Sequence, residues 1–199
     1  MPSIASVTPQ RISTSECVAL AVELNGALPL KLDYAKDSVE LLSLGALGIA
    51  DRSFSILRME DQGRRLLTEV PAGLPVGVQD VRVTLADGQQ LVRPAAFEVT
   101  RPLVLEGFQI EYVLDQVRQV PFTLTIRVTG PDAKLFQSRV KLRSNRARIE
   151  PALSAPFVEG VLVQEVTMDD AAGNNVLIEV EDCTGRVVKS NEFRLDSRP

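Results

Sequence analysis

The densest run of chemically capable side chains is basic. Arg139, Lys141 and Arg143 alternate along one stretch, and Arg146 and Arg148 follow at once. In an extended chain every second side chain points to the same face, so the first three would form a row of cations. Such a row suits an acidic surface or a glycan. It is equally what a solvated strand carries to prevent edge-to-edge pairing. A second cluster, residues 169–175, reads Asp-Asp-Ala-Ala-Gly-Asn-Asn, and Asp182 follows it. These are oxygen donors of the kind calcium takes. They lack the alternating ligand spacing of a calcium loop, and Asp, Asn and Gly are also what tight turns require. The expected reading is a turn, with no bound metal and no cofactor.

Catalysis finds little to work with. The sequence contains no histidine, which removes the commonest general base and the commonest metal ligand together. No Gly-x-Ser-x-Gly elbow occurs. Cys17 and Cys183 stand far apart with no Cys-x-x-Cys spacing, against a zinc site. A disulfide between them would have to bring their Cα atoms close across two halves of the chain. The plainer reading is two small, buried, reduced residues. Carbohydrate stacking favours exposed aromatic platforms. Tryptophan is absent, and both tyrosines, Tyr34 and Tyr112, fall on apolar-patterned stretches. A net charge of −4 disfavours nucleic acid, which needs a concentrated positive field. No apolar run approaches about 18 residues, so no membrane-spanning helix is expected. The N-terminus shows no basic segment ahead of an apolar core, so no signal peptide is visible.

The elements that must position these residues are strands. Val18, Leu20, Val22 and Leu24 alternate with Ala19, Ala21 and Glu23, and Asn25-Gly26 turns the chain. Val81, Val83 and Leu85 alternate between the Gly73–Gly77 turn and Asp87-Gly88. Ile4–Val7, Phe54 onward, 65–70 and Leu91–Val99 add further strands, while 28–50 fits either a strand or a helical turn. Pro102 after Thr100-Arg101 marks a boundary, giving domains over 1–100 and 101–199. The second half repeats the pattern. Phe108, Ile110 and Tyr112 form one row and Phe122 to Val128 another. Val140 and Leu142, Ile149, and Val161 and Val163 extended by Val166 and Met168 come next. Val176 to Val180 and Phe193 with Leu195 complete it. Short strands at intervals of roughly 8–12 residues are the signature of a β-sandwich.

The first half resembles the IPT/TIG family of immunoglobulin-like domains. The resemblance lies in Ile4-x-Ser6-Val7-x-Pro9, Leu24-Asn25-Gly26, Val70-Pro71, Pro75-x-Gly77-x-x-Asp80-Val81-x-Val83-x-Leu85-x-Asp87-Gly88 and Ala96-Phe97-x-Val99. Residues 28–66 depart from that pattern. The second half is similar to the bacterial Ig-like repeats of surface proteins and adhesins. It shares Pro121-Phe122-x-Leu124-x-Ile126, Ile149-x-Pro151, Pro156-Phe157-x-x-Gly160, Ile178-x-Val180-x-Asp182-x-x-Gly185 and Ser190-Asn191-x-Phe193.

The resemblance implies an all-β chain of two tandem immunoglobulin-like sandwiches. It implies a non-catalytic structural or protein-interaction module, a surface, adhesion or assembly component of bacterial or phage origin. A virion or tail structural protein is one alternative, and an accessory ligand- or glycan-binding domain is another. The expected location is extracellular, on a cell surface or on a virion surface. The expected partners are proteins or further copies of the chain, and the interaction patch is Arg139, Lys141, Arg143, Arg146 and Arg148.

Overall fold

A computed structural model describes residues 2–28, 44–85, 88–169 and 172–197. The sequence expectations for 29–43, Tyr34 among them, and for Asp87 and Asp170 fall outside the described residues. The chain divides into two compact units, Met1–Pro102 and Leu103–Pro199. Each has its own core.

In the first unit the strands are β1 (Ile4–Thr8), β2 (Arg11–Ser13), β3 (Val18–Leu24), β4 (Leu44–Ile49), β5 (Arg52–Ser55), β6 (Arg58–Glu60), β7 (Arg65–Val70), β8 (Gly77–Leu85) and β9 (Gln90–Thr100). One sheet has the order β1-β3-β7-β6 and the facing sheet β2-β9-β8-β4-β5. The period-two pattern is what builds this. Leu20, Val22, Leu66, Val70, Val81 and Val83 all turn inward into one buried cluster. Burying each such side chain contributes about 1.5–3 kcal/mol.

The second unit contains β10 (Gly107–Ile110), β11 (Gln116–Val117), β12 (Phe122–Thr129), β13 (Lys141–Ser144), β14 (Arg148–Glu150) and β15 (Val161–Asp169). They are followed by β16 (Gly173–Val176), β17 (Ile178–Glu181), β18 (Val187–Lys189) and β19 (Phe193–Asp196). Its first sheet runs β10-β12-β15-β14. Opposite it lie β11-β19-β16 and β13-β17-β18. The pairs β16/β17 and β18/β19 are successive parts of two long strands, so these two groups read as one sheet. In both units the opening strand pairs antiparallel in one sheet, and a short successor pairs parallel to the closing strand of the other. That strand order is the immunoglobulin-like arrangement of a four-stranded sheet facing one built on the last two long strands. The chain is therefore two tandem immunoglobulin-like β-sandwiches.

Phe108, Phe136 and Phe157 meet edge to face at the heart of the second core, with ring centroids 5.1–6.1 Å apart. Two glycines hold the loops over them. Gly130 has φ +122°, and a Cβ there would lie 2.6 Å from the Glu106 amide nitrogen. Gly160 has φ +74°, and a Cβ would run into the Ala133 carbonyl.

Three expectations are corrected. Of the row expected in β15, Val166 and Met168 are buried together with Leu162, but Val161 and Val163 are not, and Val163 is 66% exposed. Tyr112 does not continue the row of Phe108, because β10 ends at Ile110 and Tyr112 is 75% exposed. Cys183 is exposed and Cys17 half-buried, where both were expected to be buried, and no disulfide joins them.

Candidate functional site

The basic run is split by the fold. Lys141 and Arg143 lie on the outward face of β13, where Lys141 stands opposite Glu181 and Arg143 opposite Glu179 on β17. Both cations reach one carboxylate: Lys141 Nζ is 3.9 Å and Arg143 Nη1 3.3 Å from Glu181. The next strand continues the alternation, with Lys189 Nζ 2.9 Å from Glu179. This face is a cross-strand ladder of plus, minus and plus, held by the register of three antiparallel strands. Arg139 sits just before β13, half-buried, and its Nε donates to the Ser154 carbonyl at 2.7 Å. Arg146 lies in the turn after β13, beside Gly173. Arg148 belongs to the other sheet, on edge strand β14, paired with Glu150. Three of the five cations share or flank one face, and the other two lie in the following turn and on β14.

The acidic cluster is likewise spent on architecture. Asp182 is 5% exposed, and its Oδ1 accepts the Thr184 and Arg186 amides at 2.9 Å each and the Thr184 hydroxyl at 2.7 Å. One carboxylate oxygen closes the turn between β17 and β18. Asp169 accepts from the Gln119 amide at 3.0 Å and pairs with Arg118 at 3.6 Å. Gly173, Asn174 and Asn175 belong to β16 rather than to a loop. No group of three or more metal-ligating side chains assembles among the described residues. Arg194 is raised above its ordinary pKa by its bond to Asp196.

Some polar side chains do work that periodicity cannot show. The Asn191 amide accepts from the Val113 N–H and donates to the Val113 carbonyl, both at 2.8 Å, imitating a strand pair. Asn145 bridges the Leu177 N–H and the Asn175 carbonyl at 3.0 Å each. Glu16, buried in the first unit, accepts the Ser13 amide at 3.0 Å. The Asn191 and Asn145 pairings depend on residues distant in sequence, so no local signal announces them, whereas Glu16 lies only three residues from Ser13.

The surface offers two further features. Tyr112 and Leu114 stand exposed on either side of buried Val113. A depression of about 630 Å³ lies against β14 and β15 in the second unit, lined by Arg148 to Ala152 and by Glu165 to Thr167.

No family model and no curated protein matches the sequence. Among solved structures, the adhesin InvE of Yersinia pseudotuberculosis is 14% identical, with TM-score 0.41, over 98% of this chain and 58% of that one. The D0-D1 domain of intimin is 11% identical, with TM-score 0.37, over 98% and 99%. The tandem Ig repeats of Dlar are 10% identical, with TM-score 0.37, over 99% and 97%. The chain thus spans a little over half the length of InvE. At these scores the fold assignment stands on the strand order and register.

Proposed function

We propose that the chain is a non-catalytic structural and protein-interaction module, a surface, adhesion or assembly component built of immunoglobulin-like domains. The observation that carries this is where the reactive groups go. Asp169, Asp182, Lys141 and Arg143 are bound into turns and cross-strand pairs. What the sandwiches present outward is strand edges and exposed apolar side chains, the currency of protein contacts. The reading places the module outside a cell, or on a virion in the assembly version, with protein partners or copies of itself. Light scattering over a concentration series tests assembly: mass rising in whole multiples of 21.7 kDa supports it.

A second reading has one observation in its favour. Tyr112 is free to stack on a sugar ring, contrary to the expectation that it packs within a strand. A glycan array decides between the two. The interaction reading expects no saturable glycan binding, and saturable binding lost in Tyr112→Ala would replace it.

A further inference from the structure

The first sheet of the second unit has a strand missing from part of one side. Strand β14 pairs with β15 only as far as Glu150 opposite Thr167. The chain then leaves: the Ala152 carbonyl accepts from Leu142 at 2.8 Å, and the Ser154 amide donates to the Val140 carbonyl at 2.9 Å, both on the other sheet. It returns to β15 at a tight hairpin, where Val158 and Val161 exchange two bonds of 2.9 Å around Glu159 and Gly160. Both hairpin residues have positive φ, as such a turn requires. The next residue of the hairpin able to pair would be Pro156, which has no N–H to give.

The direction of the backbone groups between these points follows from alternation. In an antiparallel strand successive residues turn their N–H and C=O to opposite sides. The Met168 carbonyl accepts from the Gln119 amide, on the β12 side. Val161 bonds to the hairpin on the other side. Val163 and Glu165 share the parity of Val161, so their backbone groups point into the gap. Gln164 spans it only with its side chain, whose Oε1 accepts the Ala155 amide at 2.7 Å. The depression of about 630 Å³ lies here, with Ile149 and Val166 among its lining. Glu165 lines it and Glu159 stands in the hairpin at the end of the gap; both are exposed and make no ion pair among the described residues, while Glu150 is matched by Arg148. Glu165 is thus the unmatched charge of the lining, which is negative by one.

We infer that this gap is a docking slot for an extended, basic segment of a partner protein, which would complete the sheet by β-addition alongside Val163 and Glu165. The occupant pairs antiparallel or parallel with about three residues of β15, roughly 10 Å of strand. An apolar residue packs beside Val163, and a lysine or arginine meets Glu165. Edge pairing supplies affinity through the main chain, and the carboxylates select the charge. The inference rests on the interaction-module reading and names the chemistry of one partner.

The test uses the full chain labelled for amide hydrogen exchange, with a short blocked peptide alternating lysine and valine as probe. Without peptide, the Val163 and Glu165 amides exchange faster than those of Gln164 and Val166, which face β12. With peptide both become protected. Binding weakens about three- to tenfold in Glu165→Lys. A peptide alternating glutamate and valine binds more weakly than the basic one. Val163→Pro, which removes a gap-facing donor and leaves the β12 ladder intact, also weakens binding. Slow exchange of Val163 and Glu165 in the free chain would overturn the slot, as would binding unaffected by Glu165→Lys or no binding of the basic peptide. That failure leaves the interaction-module reading to the light-scattering and glycan measurements, so the two fail separately.

Discussion

Asp182 shows how a single side chain that looks like a ligand becomes a structural part. Its Oδ1 holds two amides and a hydroxyl of the β17–β18 turn. Asp182→Ala strands those donors and should destabilise the second unit by about 2–3 kcal/mol, since each bond to a carboxylate is stronger than a neutral one. Asp182→Asn keeps an acceptor oxygen and should lose less. Denaturant unfolding checks this, and an unchanged midpoint in the alanine variant would mean the carboxylate does not hold the turn. The sequence placed Asp182 beside Gly185 in a turn without revealing which atoms it binds. Tyr112 departs from its expected place for a related reason. Alternation with Phe108 and Ile110 continues in the sequence after the strand has stopped, because the Asn191 side chain takes over the pairing at Val113.

At the scale of elements, period-two patterning succeeded where one face of a strand is buried and the other wet. β3, β8 and β12 follow it closely. It held only in part in β15: Val166 and Met168 are buried, but Val161 and Val163 form an apolar row on the outer side. Leu162, Val166 and Met168 form the buried one, with Gln164 between them. A β-branched residue suits a pleated surface on either face, so composition alone cannot choose the phase. The strands β2 and β11, at three and two residues, are too short to carry any alternation. The basic row on β13 was legible as a row, but its neutralisation by Glu181 depends on a strand almost forty positions away. Replacing Arg139, Lys141 and Arg143 together with Ser should leave the fold intact. The cost should stay below about 3 kcal/mol, because the exposed ion pairs of Lys141 and Arg143 contribute about 0–1 kcal/mol each and the bond from Arg139 to the Ser154 carbonyl about 1 kcal/mol. Circular dichroism with thermal melting checks the fold. Unfolding of this variant would show that the charge ladder is essential to the sheet rather than a covering for it.

Across the whole molecule the account depends on two hydrophobic cores that share no residue, Ile4 to Val99 in one and Phe108 to Leu195 in the other. The all-β class and the doubling were readable because turn residues punctuate short apolar rows throughout both halves. The positions of the sheet edges were not, since they follow from where the chain crosses between sheets. Val81→Asp tests the central claim most directly. Val81 is fully buried in the first core, and an unpaired carboxylate there should cost more than about 4 kcal/mol. Residue-resolved amide exchange on this variant should show protection lost across β3, β7 and β8, while Leu124, Ile126 and Ile178 keep theirs. Protection retained at β8, or lost equally in both units, would contradict a chain built as two separately cored sandwiches.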